Sequence, residues 1–129
     1  MSVKTKERLK RLSLYLIIGF YLFAGFNHFR DPDFYYPLIP PYLKYIYEIN
    51  LLSGFIEVLL GLGLSFKATR KWSAIGIIAM LLAFIPAHTY FIELGGCLSE
   101  SLCVPAWVAW VRLIVVHPLL IAWAWWHRK

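Results

Sequence analysis

Charge is what this sequence has least of. Of its 129 residues only 16% are Asp, Glu, Lys or Arg, just 7 of these are acidic, and 60% are hydrophobic. That balance excludes an ordinary soluble domain of this size. Catalytic signatures are missing as well. There is no Ser–His–Asp set, no Gly-rich phosphate loop and no H-E-x-x-H pattern, so nothing supports a hydrolase or a transferase. Cysteine occurs only at Cys97 and Cys103, whose spacing is not C-x-x-C. A thiol relay therefore has weak support. No internal repeat or low-complexity segment is present, and the length suits one domain.

What is present is apolar residues in four blocks, at about 12–29, 49–66, 72–92 and 104–126. Each approaches the roughly 20 residues a helix needs to cross a bilayer. The fold class expected is all-α, an integral membrane four-helix bundle forming a single domain. The basic residues ahead of the first block (Lys4, Lys6, Arg8, Lys10, Arg11) also describe a signal peptide. The block is long for that, and no small-residue cleavage pattern follows it, so a retained helix preceded by a basic tail is expected. The 30–48 connector is rich in Pro and Tyr, which break helices and favour the headgroup region. A short interfacial helix is expected from Tyr42 into the second span.

Net charge is +6, and the basic residues flank the apolar blocks. That distribution suits topology and anionic headgroups better than nucleic acid, which is not expected as a partner. Lys and Arg gather in the N-terminal segment, in the Lys67–Lys71 turn and at Arg128–Lys129, whereas the 93–103 loop has none. The positive-inside rule then puts both termini in the cytoplasm and the cysteine loop outside, in a bacterial inner membrane. On the oxidising side Cys97 and Cys103 are expected first as a structural disulfide. A redox-active pair and two unpaired thiols are the alternatives.

The second block organises the rest. Asn50, Ser53 with Gly54, Glu57 and Gly61 recur at helical spacing, giving one polar, small-residue face that should meet other helices. A carboxylate at that depth costs several kcal/mol unless it is paired, wetted or neutralised. At about 1.5 Å per residue Glu57 lies roughly 12 Å below the outer end of its span. Arg112 reaches a similar depth on the fourth span. His88 is somewhat shallower on the third, and Asn27 and His28 are near the outer end of the first. A Glu57–Arg112 ion pair is the economical inference. His28 and His88 are candidates for haem or metal ligation, without the usual ligand spacing. His117 is expected on a different face from Arg112, as a packing residue bonded to a carbonyl freed near Pro118. Gly76, Ala79, Ala83 and Ala87 are expected as a helix-packing face, and Trp123, Trp125 and Trp126 as an interfacial anchor.

The stretches Ala24–Pro32, Pro40–Pro41, Ser53–Glu57 with Gly61, Pro86–Ala87, Arg112–Leu113 and Ile121–Trp123 together resemble the DoxX-like family of small four-span membrane proteins. The chain departs from that pattern at His88, where relatives often carry Asn, and at Ile114–Val116, which replace Pro-Leu-Gln. The resemblance implies the four-span fold. It also implies company with quinone-linked sulfur or oxidant-defence complexes, or with chaperones of channel assembly.

Three functions are carried forward. The first, slightly preferred, is a non-catalytic accessory or assembly subunit of a membrane complex, quinone-linked redox among the possibilities. The second is an outer-leaflet site for a quinone or other lipid-like molecule, formed by Asn27, His28, Glu57, His88 and Arg112. The third is an enzyme using Cys97 and Cys103 or the histidines for electron transfer; an activity of its own is the lesser expectation. No metal or resident cofactor is expected, with quinone or haem as the alternative. The partners expected are the bilayer and either a membrane protein or a lipid-like ligand.

Overall fold

A computed structural model describes residues 1–129. The helices are α1 (Val3–Arg30), α2 (Pro32–Tyr35), α3 (Ile46–Leu64), α4 (Lys67–Ala83), α5 (Ile85–Glu93), α6 (Ala106–Val111) and α7 (His117–Trp126). Two short strands, β1 (Cys97–Ser99) and β2 (Leu102–Cys103), form an antiparallel hairpin. Four stretches are long and apolar enough to cross a membrane: 3–30, 46–64, 67–93 and 106–126. Their outward faces carry large apolar side chains such as Phe23, Phe55, Leu82 and Leu119, as lipid-facing surfaces do. The chain start, the α3–α4 turn and the chain end share one end of the bundle, the terminal end below. The connector and the hairpin share the far end.

Two expectations about the edges are corrected. The basic segment is not a tail but the first turns of α1, because Ser2 caps it by accepting the Thr5 N–H and Lys and Arg are good helix formers. No helix begins at Tyr42. Residues 41–44 are turns and bends, and the short helices lie earlier, at Pro32–Tyr35 and the 3₁₀ turn Tyr36–Leu38. Pro32 is placed favourably at a helix start, whereas Pro40–Pro41 holds the backbone out of the helical region just before Tyr42.

The helices pack in the row α1–α3–α4–α7. Asn50, Gly54, Glu57, Gly61 and Leu64 are the buried face of α3, which is the stripe read from the periodicity except that Ser53 is only half-buried and Leu64 extends it. Contact with α1 is closest at Gly25 and Gly54. A Cβ on Gly25 would stand 2.8 Å from the Gly54 carbonyl oxygen, and one on Gly54 would stand 2.9 Å from that of Gly25. Backbone meets backbone there, so no side chain can rotate away. The small residues of α4 and α5 behave otherwise. Gly76 abuts Leu60, but Ala79 is exposed, and the face that packs is Ser73, Ala74, Ile77, Met80 and Leu81.

Most of the apolar core lies in the terminal half, where Ile17, Tyr21, Leu64, Ile77, Leu81 and Ala124 come together. The loose carbonyls at the end of α3 are taken up by the next helix: Thr69 Oγ1 donates to the Gly63 carbonyl at 2.7 Å and Arg70 Nε to that of Leu64 at 2.9 Å. Trp123 Nε1 donates to Ser13 Oγ at 2.8 Å, and Ser13 Oγ lies 2.9 Å from His127 Nε2. Burial pushes the His127 ring below the ordinary histidine range, with the charges of Lys10 and Arg70 adding to the shift. The Ser13–His127 and Trp123–Ser13 bonds tie α1 to the chain end. Trp125 and Trp126 point outward as anchors.

At the far end α5 stops at two glycines with left-handed backbone, Gly95 at φ 66° and Gly96 at φ 87°. Cys97 and Cys103 then face each other across the hairpin at disulfide-bonding distance, with Cα atoms 4.0 Å apart.

The Gly25–Gly54 approach sets a direct test. Gly25→Ala should destabilise the bundle by about 1–3 kcal/mol, the usual range for overpacking. Gly19→Ala should be neutral or better, since a Cβ there meets nothing within 4 Å. Denaturation of both variants in one detergent reads the difference.

Candidate functional site

The centre of the far half is an acid held by a histidine. His28 Nε2 lies 3.0 Å from Glu57 Oε2, and both side chains are more than nine-tenths buried. The anticipated Glu57–Arg112 pair does not form. The reason is geometric: the glycine contact sets α1 so close to α3 that His28 reaches the acid before any group of the fourth span can. Asn50, two turns along α3 from Glu57, fixes the ring. His28 Nδ1 donates to Asn50 Oδ1 at 2.7 Å, and Asn50 Nδ2 donates to the His28 backbone carbonyl at 3.0 Å.

These bonds constrain the proton inventory. Asn50 presents an oxygen to Nδ1 because its nitrogen faces a carbonyl, so Nδ1 carries hydrogen. A neutral His28 would then turn an Nε2 lone pair towards the carboxylate, which is repulsive at 3.0 Å. A proton placed between the two residues would turn that repulsion into attraction. Glu57 Oε2 lies off the line of a good hydrogen bond and has no other partner. The hydroxyl of Tyr21, also buried, has none.

The connector covers the couple. Tyr35 stacks on His28 with ring centroids 3.7 Å apart and accepts a hydrogen bond from Asn27 Nδ2 at 3.0 Å. Burial pushes the Tyr35 hydroxyl above its ordinary range, against the opposing pull of the Asn27 bond, so it keeps its proton.

On the other side lies a cavity of about 220 Å³. His28, Tyr35 and Glu57 wall it on one flank, His88, Phe91 and Arg112 on the other. Asn27 alone among the expected site residues does not line it and acts through Tyr35. The cavity exists because the third span is broken. Pro86 has no N–H to give the Leu82 carbonyl, so α4 ends at Ala83 and α5 takes its own course away from α3. Ala83 and Ala87, expected as packing residues, leave the space open, and the exposed Ala83 and Pro86 form its rim.

A second break aims Arg112. Residues Arg112–Val116 form a π-helical turn in which the His117 N–H bonds to the Arg112 carbonyl, just before Pro118. Five residues of regular helix would put Arg112 and His117 about 140° apart. The wider turn absorbs the extra residue and brings them towards one face. His117 accordingly meets His88, ring centroids 4.6 Å apart, and its Nε2 donates to the Leu81 carbonyl at 2.6 Å. The carbonyl expected near Pro118 is thus found across the interface, ahead of the other break. His117 was missed as a neighbour of the site for this reason. The only sequence signal was the proline after it.

Arg112 itself lies over the Phe91 ring at 4.8 Å and makes no hydrogen bond or ion pair within the chain.

Residues 17–128 match the family described as Domain of unknown function (DUF8561). The chain belongs to that family. The DUF8561 match takes in the whole far-end site, from Asn27 to Arg112, and leaves out the basic start of α1. No curated protein and no solved structure matches the chain.

Removing His28 alone isolates a buried carboxylate. His28→Ala should cost about 3–5 kcal/mol, and Glu57→Gln in the same chain should restore much of it. A double-mutant cycle by denaturation in detergent checks this; additive losses would show the two residues to be uncoupled.

Proposed function

We propose that the far-half cavity binds a lipid-like small molecule whose head group carries acceptor oxygens, a quinone carbonyl or a carboxylate. The observation that carries this reading is the unpartnered guanidinium. Arg112 is only partly exposed, lies within an apolar span and spends none of its five N–H donors on the protein. A charge so placed costs several kcal/mol unless something solvates it. Glu57 is already matched by His28, so the compensating oxygen comes from outside the chain. A cavity of about 220 Å³ has room for a ring-sized head group; an apolar one of about 150 Å³ takes up benzene. The Ala83–Pro86 rim lets a tail pass into lipid.

In this reading the chain holds such a molecule for a membrane complex and does not convert it, which agrees with the lack of a catalytic set in the sequence. We assign the terminal end, with its Lys and Arg, to the cytoplasmic side and the cavity to the outer leaflet on the positive-inside rule. The DoxX-like resemblance makes a quinone the first probe to try.

Native mass spectrometry of gently purified protein tests the reading, with decyl-ubiquinone and palmitate added as probes. The wild type should retain a co-purified molecule or bind one probe at micromolar concentration. Arg112→Ala should weaken this about tenfold or more, the worth of a charged hydrogen bond, while the bundle stays folded. No retained molecule and no binding of either probe would overturn the proposal.

A further inference from the structure

The terminal end holds a second concavity, separate from the first. It measures about 560 Å³ and is built from three parts of the chain: the start of α1, the α3–α4 turn and the chain end. Five cations line it, namely Lys10, Arg11, Lys67, Arg70 and Lys129, against one carboxylate, Glu7. None of them is in an ion pair. The fold has gathered like charges from distant positions with only one acidic side chain, Glu7, among them, at a cost in mutual repulsion.

One of the five is held in place. Arg70 Nε is committed to the Leu64 carbonyl at 2.9 Å, which fixes the plane of its guanidinium beside the cavity and leaves the terminal nitrogens free. Towards the middle of the bundle the wall becomes apolar. Leu14 and Ile18, one turn apart on α1, continue it along the span, both half-buried. Cations at the end of apolar spans and an apolar track leading inward form the two halves of an amphiphile's complement.

We infer that this concavity is a binding site for the phosphate of an anionic phospholipid, with one acyl chain lying against Leu14 and Ile18. The phosphate bridges Arg70 and the α1 cations, and so ties the start of α1 to the α3–α4 turn. Free phosphate shares the head-group chemistry but cannot use the apolar track.

Native mass spectrometry of delipidated full-length protein distinguishes these sources, with phosphatidylglycerol and phosphatidylcholine offered in equal amounts. Phosphatidylglycerol should be retained preferentially, with one tight equivalent. Arg70→Ala should reduce that preference about fivefold, and Lys10→Gln with Arg11→Gln by about fivefold for each cation removed. The Lys10/Arg11 variant leaves the Arg70–Leu64 bond intact and serves if Arg70→Ala fails to fold. Lys4→Ala with Lys44→Ala lowers the net charge equally but lies outside the concavity, and should leave the preference unchanged. Equal retention of the two lipids, an equal loss in the Lys4/Lys44 control, or displacement of phosphatidylglycerol by equimolar inorganic phosphate would each overturn the inference.

Discussion

A carboxylate buried among apolar helices must be neutralised, and much of this architecture follows from how Glu57 is. The Glu57–His28 contact needs the two helix axes very close, which is why backbone touches backbone at Gly25 and Gly54 one turn away. It also needs a fixed ring, which Asn50 supplies from the same face of α3. The polar stripe and the glycine contact are therefore one device. The glycines allow the approach, and the couple penalises any slip between α1 and α3 by exposing a charge to hydrocarbon. Tyr35, stacked on the outer face of the ring, extends this constraint to the connector and holds a Pro-rich segment over the bundle's far end.

The two halves of the bundle are closed by different means. In the terminal half, aliphatic side chains fill the centre and the Ser13–Trp123–His127 cluster joins first helix to last. In the far half two helix breaks do the opposite. Pro86 turns α5 away from α3, and the π turn before Pro118 reorients Arg112 and His117. The breaks are bridged to each other where His117 donates to the Leu81 carbonyl. That bond satisfies the ring in an apolar setting and fixes how far the third and fourth spans separate. The walls of the space are thus set by backbone irregularities, and the alanines at 83 and 87 leave it unfilled.

The sequence made some of this legible and hid the rest for physical reasons. The four apolar blocks and the buried face of α3 follow from period and composition, and both are found in the structure. Four of the five expected site residues line one cavity and Asn27 stands behind Tyr35, because their places in antiparallel spans put all five towards the far end. Depth cannot say which neighbour is nearest, however. That arithmetic matches only Arg112 to Glu57 and leaves His28 near the outer end, yet His28 is the residue that meets the acid, brought there by a glycine contact that hydrophobic patterning does not report. The place of His117 was hidden by the assumption of 3.6 residues per turn, which fails where a π turn intervenes. The Gly76–Ala87 series shows the converse error. Small residues at helical spacing mark where a helix could approach, and here the proline break leaves part of that face as cavity wall.

The His28–Glu57 contact and Arg112 stand on opposite flanks of one cavity. With Glu57 engaged by His28, Arg112 is the charge without a partner in the chain. Should Glu57 instead serve Arg112, His28 would lose its acid while still held by Asn50. In the proposed reading an accepting head group at Arg112 spares the chain this exchange, so that the buried acid keeps its histidine and the guanidinium takes its oxygen from outside the chain.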